Sequence, residues 1–160
     1  DIAASVFVVI YLPLMTSFSV LMLHEFHNDG HYWVLVYVTT VAFIDTAGYL
    51  VGRKFGRHQM APGVSPKKSW EGLLASMVAG SAVAIVGSIL LDRPTWFAFI
   101  FAGAMLLAAV FGDLAESLIK RDLGIKDMSS LLPGHGGVMD RLDSILPATL
   151  IAYLLVSIPL

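Results

Sequence analysis

Five apolar stretches of near-membrane length constrain this chain more than anything else in it. A bilayer core about 30 Å thick asks for roughly 20 apolar residues per crossing helix. The stretches run Ile2–Leu23, Tyr32–Val51, Leu73–Leu91, Thr95–Phe111 and Ile145–Leu160, the last so short that a clipped or tilted span is expected. Hydrophobic residues make up 57% of the 160 and charged ones only 14%, more apolar surface than one soluble core of this size can hide, so lipid must solvate much of it. The predicted fold is all-α: a polytopic transmembrane bundle of about five spanning helices, in a single membrane-embedded domain over residues 1–160. Asp1 leads straight into the first stretch with no basic region and no small-residue cleavage site, so no signal peptide is expected. The expectation is a carboxyl-terminal fragment with further spans upstream.

The charges give the bundle a side. Arg53, Lys54, Arg57, Lys67 and Lys68 fall in the connection 52–72, and Lys120, Arg121, Lys126 and Arg141 in the connection 112–144. Only Arg93, in the tight turn Asp92-Arg93-Pro94, falls on the other side. With nine of ten cations on one face, the positive-inside rule makes both long connections cytoplasmic loops. Small residues recur every fourth position at Ser76, Gly80, Ala84 and Ser88, and again at Ala104, Ala108 and Gly112. Such stripes let helix backbones approach closely in lipid, so packing is their expected role.

Chemistry concentrates on the basic side. Asp45 lies inside the second apolar stretch, where a carboxylate is costly unless it faces a polar cavity or a cation, so function is its default reading and an interhelical ion pair the alternative. The following loop, GRKFGRHQMAPGVSPKKSWEG from Gly52, joins turn-forming Gly and Pro to five cations able to neutralise phosphate oxygens. It is not a P-loop, and on composition a merely topogenic role explains it equally well. Trp70 is placed as an interfacial aromatic. Asp113, Glu116, Ser117 and Lys120 follow i, i+3, i+4, i+7 spacing and share a face if their helix continues. Lys126 and Asp127 come next, then PGHGGVMDRLDS from Pro133, in which Asp140 and Asp143 are i, i+3 neighbours and His135 sits between glycines. Clustered hard oxygen donors suit Mg²⁺, and interleaved Lys and Arg suit a polyphosphate. Simple pairing of these acids with neighbouring cations on a solvated face is the plainer explanation. The run HEFHN from His24 does not match HExxH, which makes His24, His27 and His31 an interfacial polar turn. The absence of Cys removes thiolate catalysis, disulfides and Cys-based zinc sites.

The run from Ser117 to Asp143, SLIKRDLGIKDMSSLLPGHGGVMDRLD, resembles the signature of the phosphatidate cytidylyltransferase (CDP-diacylglycerol synthase) family. Ser117, Ile119, Lys120, Arg121, Lys126, Asp127, Ser129, Leu132, Pro133, His135, Gly136, Gly137, Val138, Asp140, Arg141, Leu142 and Asp143 fill its constrained positions. The segments DTAGYLVGRKFG from Asp45 and APGVSPKKSWEG from Ala61 are similar to bacterial members, extending the resemblance over about residues 40–160. It implies cytidylyl transfer from CTP to phosphatidic acid, giving CDP-diacylglycerol and pyrophosphate at the cytoplasmic face of a bacterial inner membrane. It implies Mg²⁺ held by Asp113, Asp140 and Asp143, with a monovalent cation such as K⁺ alongside. Lys120, Arg121, Lys126 and Arg141 are then candidate phosphate contacts, and Lys120 and Arg121 join the three aspartates as the catalytic set. Ser65, Lys67 and Lys68 are expected to close over nucleotide or lipid headgroup, and Asp45 to orient a basic residue. Glu116, Ser117, Asp127 and His135 complete the expected substrate-binding set. The partners implied are CTP, phosphatidic acid and membrane lipid, with a homodimer as the oligomeric expectation and no nucleic acid. A CTP-dependent polyprenol kinase is the nearest rival; a membrane transporter would need polar groups through the outer half of the bundle, and the DG-x2-AR motif of CDP-alcohol phosphatidyltransferases is absent.

Overall fold

The computed structural model describes residues 2–26, 28–61, 65–122, 124–125 and 142–159. Among the described residues five helices carry the fold: α1 (Ile2–Glu25), α2 (Gly30–Phe55), α3 (Trp70–Leu90), α4 (Thr95–Asp122) and α5 (Ile145–Val156). Among the described residues α2, α3 and α4 are long and apolar enough to cross a membrane, and the 24 residues of α1 give it comparable length. The 12 residues of α5 rise only about 18 Å. The chain is a polytopic helical membrane bundle, with a shorter last helix than the five-span expectation.

Two helices outrun their apolar stretches. α2 continues past Val51 to Phe55 and α4 past Phe111 to Asp122, so the first part of the expected 112–144 loop is helical. Lys and Arg in both last turns offset the partial negative charge of the helix ends, and Glu116 pairs with Lys120 one turn on at 3.4 Å. Between α2 and α3 lies an antiparallel hairpin, β1 (Gln59–Ala61) and β2 (Ser65–Ser69), pairing Gln59 with Ser69 and Ala61 with Ser65. This small addition to the all-α expectation is held by backbone pairing, not by an alternating apolar pattern, and the Trp70 amide donates to the His58 carbonyl at 3.0 Å. Glu71 binds the backbone amides of Arg57 and His58 at 3.2 and 3.3 Å and the His58 ring at 2.6 Å, pinning the hairpin's start to the first turn of α3. Ser69 caps α3 by accepting from the Gly72 amide at 3.1 Å.

The stripe along α3 is a packing seam. Its buried residues are Gly72, Ser76, Gly80, Ala84, Gly87 and Ser88. A Cβ at Gly80 would stand 2.8 Å from Ile44 Cγ1, one at Gly87 2.7 Å from Val36 Cγ1, and one at Gly72 2.8 Å from the Gly48 carbonyl, so α2 reaches contact only because these side chains are absent. Ser76 donates to the Ile44 carbonyl at 2.6 Å across the seam, a packing use of one of the few polar groups in this span. On α4 the fully buried face instead runs through Ala98, Ala102, Met105 and Ala109, and Ala104 is only half-buried. Of the expected α4 stripe Ala108 is buried and Gly112 packs against the Asp143 carbonyl, as the small-residue recurrence predicts, and only Ala104 lies off the buried face.

The far end of the bundle is structural. Trp33, Phe97 and Phe101 cluster with ring centroids 5.8–5.9 Å apart, and Arg93 lies over Trp33 and Phe97. Asp92 turns the chain between α3 and α4 at φ 50°. Ser19 and Thr149 both hydrogen-bond the Tyr37 hydroxyl, at 2.7 and 3.5 Å, tying α1, α2 and α5 together.

Candidate active site

Acids from two parts of the chain meet at one point at the basic end. Asp113 and Glu116 stand one turn apart on α4, and Asp143 stands two residues before α5. Gly112 makes the meeting possible, because a Cβ there would strike the Asp143 carbonyl and lie 2.7 Å from Pro147 Cγ. α4 therefore touches the start of α5 along bare backbone. One carboxylate oxygen from each of Asp113, Glu116 and Asp143 then lies within 4.8 Å of the others.

That proximity is electrostatically adverse without a counter-charge. Burial first, then the neighbouring Glu116 and Asp113 carboxyls, push the Asp143 carboxyl up to about 9. Asp143 Oδ1 also accepts from the Ser144 amide at 2.8 Å, which fixes its direction. Glu116 is 5% exposed, and among the described residues its Oε1 has no hydrogen-bond partner, only the 3.4 Å ion pair with Lys120. A second cation enters from the hairpin: Lys68 Nζ sits 2.6 Å from Asp113 Oδ2 and 3.4 Å from the Val110 carbonyl. Three hard oxygen donors, with a buried Glu116 oxygen that no hydrogen bond satisfies among the described residues, fit a divalent cation.

A cavity of about 540 Å³ opens beside the acids. Asp113, Asp143, Ser144, Lys68 and Ser69 line it, together with Asp45. The Ile44 carbonyl, held by Ser76, fixes the adjoining backbone of α2. Asp45 thus lines the same cavity as the acids and Lys68, and is itself exposed.

Of the residues expected from sequence, Asp113, Asp143, Glu116, Lys68 and Asp45 converge here. Ser117 and Lys120 lie half-buried further along α4, and Arg121 is exposed in its last turn. Ser65 and Lys67 belong to β2. Lys126, Asp127, His135, Asp140 and Arg141 lie outside the described residues. The acid trio among the described residues is Asp113, Glu116 and Asp143, so Glu116, assigned from sequence to substrate binding, stands with the candidate metal ligands. Its i+3 spacing from Asp113 was the available signal. His24 and His31 sit on the last turn of α1 and the first turn of α2, away from this cavity; His27 lies outside the described residues.

Residues 1–159 match the model of the Cytidylyltransferase family. The chain belongs to this family. The match takes in the first forty residues, which on their own carry only hydrophobicity. Among curated cytidylyltransferases, the chain is 43% identical over 159 residues to the phosphatidate cytidylyltransferase of Mycobacterium bovis, covering 99% of this chain and 51% of that protein. It is 36% identical over 146 residues to the Haemophilus influenzae phosphatidate cytidylyltransferase, covering 86% of this chain and 51% of the relative. The chain spans about half the length of these relatives. Its fold is similar to a solved intramembrane enzyme for archaeal membrane lipids biosynthesis, with a TM-score of 0.57, 25% identity and 76% of each chain covered.

Proposed function

We propose that this cytidylyltransferase-family protein transfers the cytidylyl group of CTP to phosphatidic acid, releasing pyrophosphate and forming CDP-diacylglycerol. The observation that carries the reading is the meeting of Asp113, Glu116 and Asp143 with Lys68 beside a cavity at the basic end of the bundle, in a chain 43% identical to a phosphatidate cytidylyltransferase. A lipid phosphate oxygen forms a bond to the α-phosphorus of CTP as the bond from that phosphorus to the bridging oxygen breaks and pyrophosphate leaves. The nucleophile is already ionised near pH 7, so no strong general base is needed. Both reactants are anions, so positioning and charge neutralisation are the protein's main contributions.

Asp113, Glu116 and Asp143 would hold Mg²⁺, with Asp140 as a further ligand from the signature. The ion, when bound, neutralises phosphate oxygens at the reacting centre. Lys68 reaches Asp113 and also lines the cavity, so its ammonium is placed to meet a phosphate arriving there. Asp45 adds a negative wall that favours cations in the chamber. A monovalent ion such as K⁺ beside Mg²⁺ is part of the proposal, supported by the surplus of carboxylates over paired ammonium groups among the described residues. Cation placement supports a cytoplasm-facing site in a bacterial inner membrane: Arg53, Lys54, Lys68, Lys120 and Arg121 share the acids' end, opposite Arg93.

The test is incubation of the purified intact protein with CTP, phosphatidic acid and Mg²⁺. Pyrophosphate and CDP-diacylglycerol are expected; release of CDP with a phosphorylated lipid would assign a kinase instead, and absence of both products would sink the reading.

A further inference from the structure

Two arginines at the basic end of α2 are left unused by the carboxylate site. Arg53 lies in the last turn of α2, and Arg57 follows the C-cap Gly56. Both are exposed, and both line a second cavity of about 670 Å³ with Tyr49, Gly56, Gln59 and Ser69. Tyr49 and Ser69 also line the carboxylate cavity, so the two chambers share a wall.

Among the described residues no ion pair takes up the charge in this chamber. Among the described residues no side chain lining it is acidic, and the ion pairs engage His58, Lys68 and Lys120 but neither arginine. Arg53 Nη1 donates to the Tyr49 hydroxyl at 3.1 Å, a neutral partner that orients the guanidinium without neutralising it. Arg57 is held from behind, because Glu71 takes its backbone amide and leaves its side chain clear of that contact. The floor is backbone: a Cβ at Gly56 would strike the Gly52 carbonyl and stand 2.7 Å from Ser69 Oγ. One guanidinium oriented by Tyr49 and a second on the same cavity wall match an anion with several oxygens.

The chamber's height selects the anion. Here the apolar run of α2 ends, with Tyr49, Leu50 and Phe55 all exposed and Lys54 lying over the Phe55 ring at 5.3 Å. Exposed aromatics beside snorkelling cations mark the level of lipid phosphates. We propose that the Arg53–Arg57 chamber is the phosphomonoester subsite for the lipid substrate, holding its headgroup beside the carboxylate cavity. A phosphomonoester, with a second ionisation near about 6, carries close to two charges at neutral pH, whereas the phosphodiesters of bulk phospholipids carry one charge and a bulky second substituent. Paired guanidiniums therefore favour the monoester over the surrounding membrane. This inference rests on the cytidylyltransferase reading given above.

The experiment uses the intact protein with Arg53→Gln, Arg57→Gln, the double variant and Arg53→Lys. In mixed micelles each Gln variant is expected to raise KM for phosphatidic acid about tenfold or more, with KM for CTP within about twofold of wild type and partial recovery in Arg53→Lys. A parallel arm measures binding of dihexanoyl phosphatidic acid and dihexanoyl phosphatidylglycerol without CTP. Wild type should prefer the monoester and the double variant should lose that preference. Unchanged KM for phosphatidic acid, or a rise in KM for CTP in its place, overturns the proposal, as does an equal preference in wild type and double variant. If wild type forms no product, the proposed reaction fails, and the binding arm alone decides the subsite.

Discussion

Replacing Asp143 with Asn separates the cost of the acid cluster from its use. In the cation-free protein the Asp143 carboxyl, raised from 3.8 to about 9, keeps its proton near neutrality, whereas the unfolded chain releases it. A raised folded value contributes stability that is whole below the unfolded value and is lost as pH climbs towards the folded one. Most of it has gone near pH 7, where the roughly three units above 3.8, at about 1.36 kcal/mol each, set an upper limit of about 4 kcal/mol. The amide introduced by Asp143→Asn has no proton to bind on folding, yet it retains an oxygen for the Ser144 amide. In chelator near neutral pH, Asp143→Asn should therefore melt above wild type, and the gap should close near about pH 4. In millimolar Mg²⁺ the order should reverse, because wild type gains a ligand-linked rise in Tm that the variant lacks. Intrinsic tryptophan fluorescence during heating reads both proteins with and without the ion. A variant that melts below wild type in chelator, or that keeps the wild-type response to Mg²⁺, would refute the reasoning.

Asp113→Asn and Asp140→Asn should each abolish CTP-dependent product formation while the protein still inserts into membranes; wild-type turnover in either removes that residue from the proposed ligand set. Gly112→Val should force α4 away from the Asp143 carbonyl and separate the acids, so that Mg²⁺ no longer raises Tm even though all three carboxylates remain. Gly80→Val should press on Ile44 across the α2–α3 seam and cost about 1–3 kcal/mol, and Ser76→Ala, which loses the bond to the Ile44 carbonyl, about 0.5–2 kcal/mol, both measured by thermal unfolding in detergent.

Apolar run length, charge placement and residue spacing are enough to read the class of fold, the polar end of the bundle and the residue types gathered there. Apolar run length dictates membrane helices, and a carboxylate such as Asp45 in lipid needs a polar chamber. The four-residue recurrence of small side chains located the α3 seam, since close backbone approach depends on side-chain size alone. Tertiary structure decided which acids meet. Asp113 and Glu116 share a helix face by spacing, but Asp143 joins them only because Gly112 lets the start of α5 touch α4, a contact between positions 31 residues apart that no local period encodes. Lys68 likewise reaches Asp113 through a hairpin whose strands, QMA and SPKKS, lack the β-branched alternation that announces a strand. Local sequence carries periodicity and desolvation cost; the meeting of distant charges belongs to the packing that brings the backbones together.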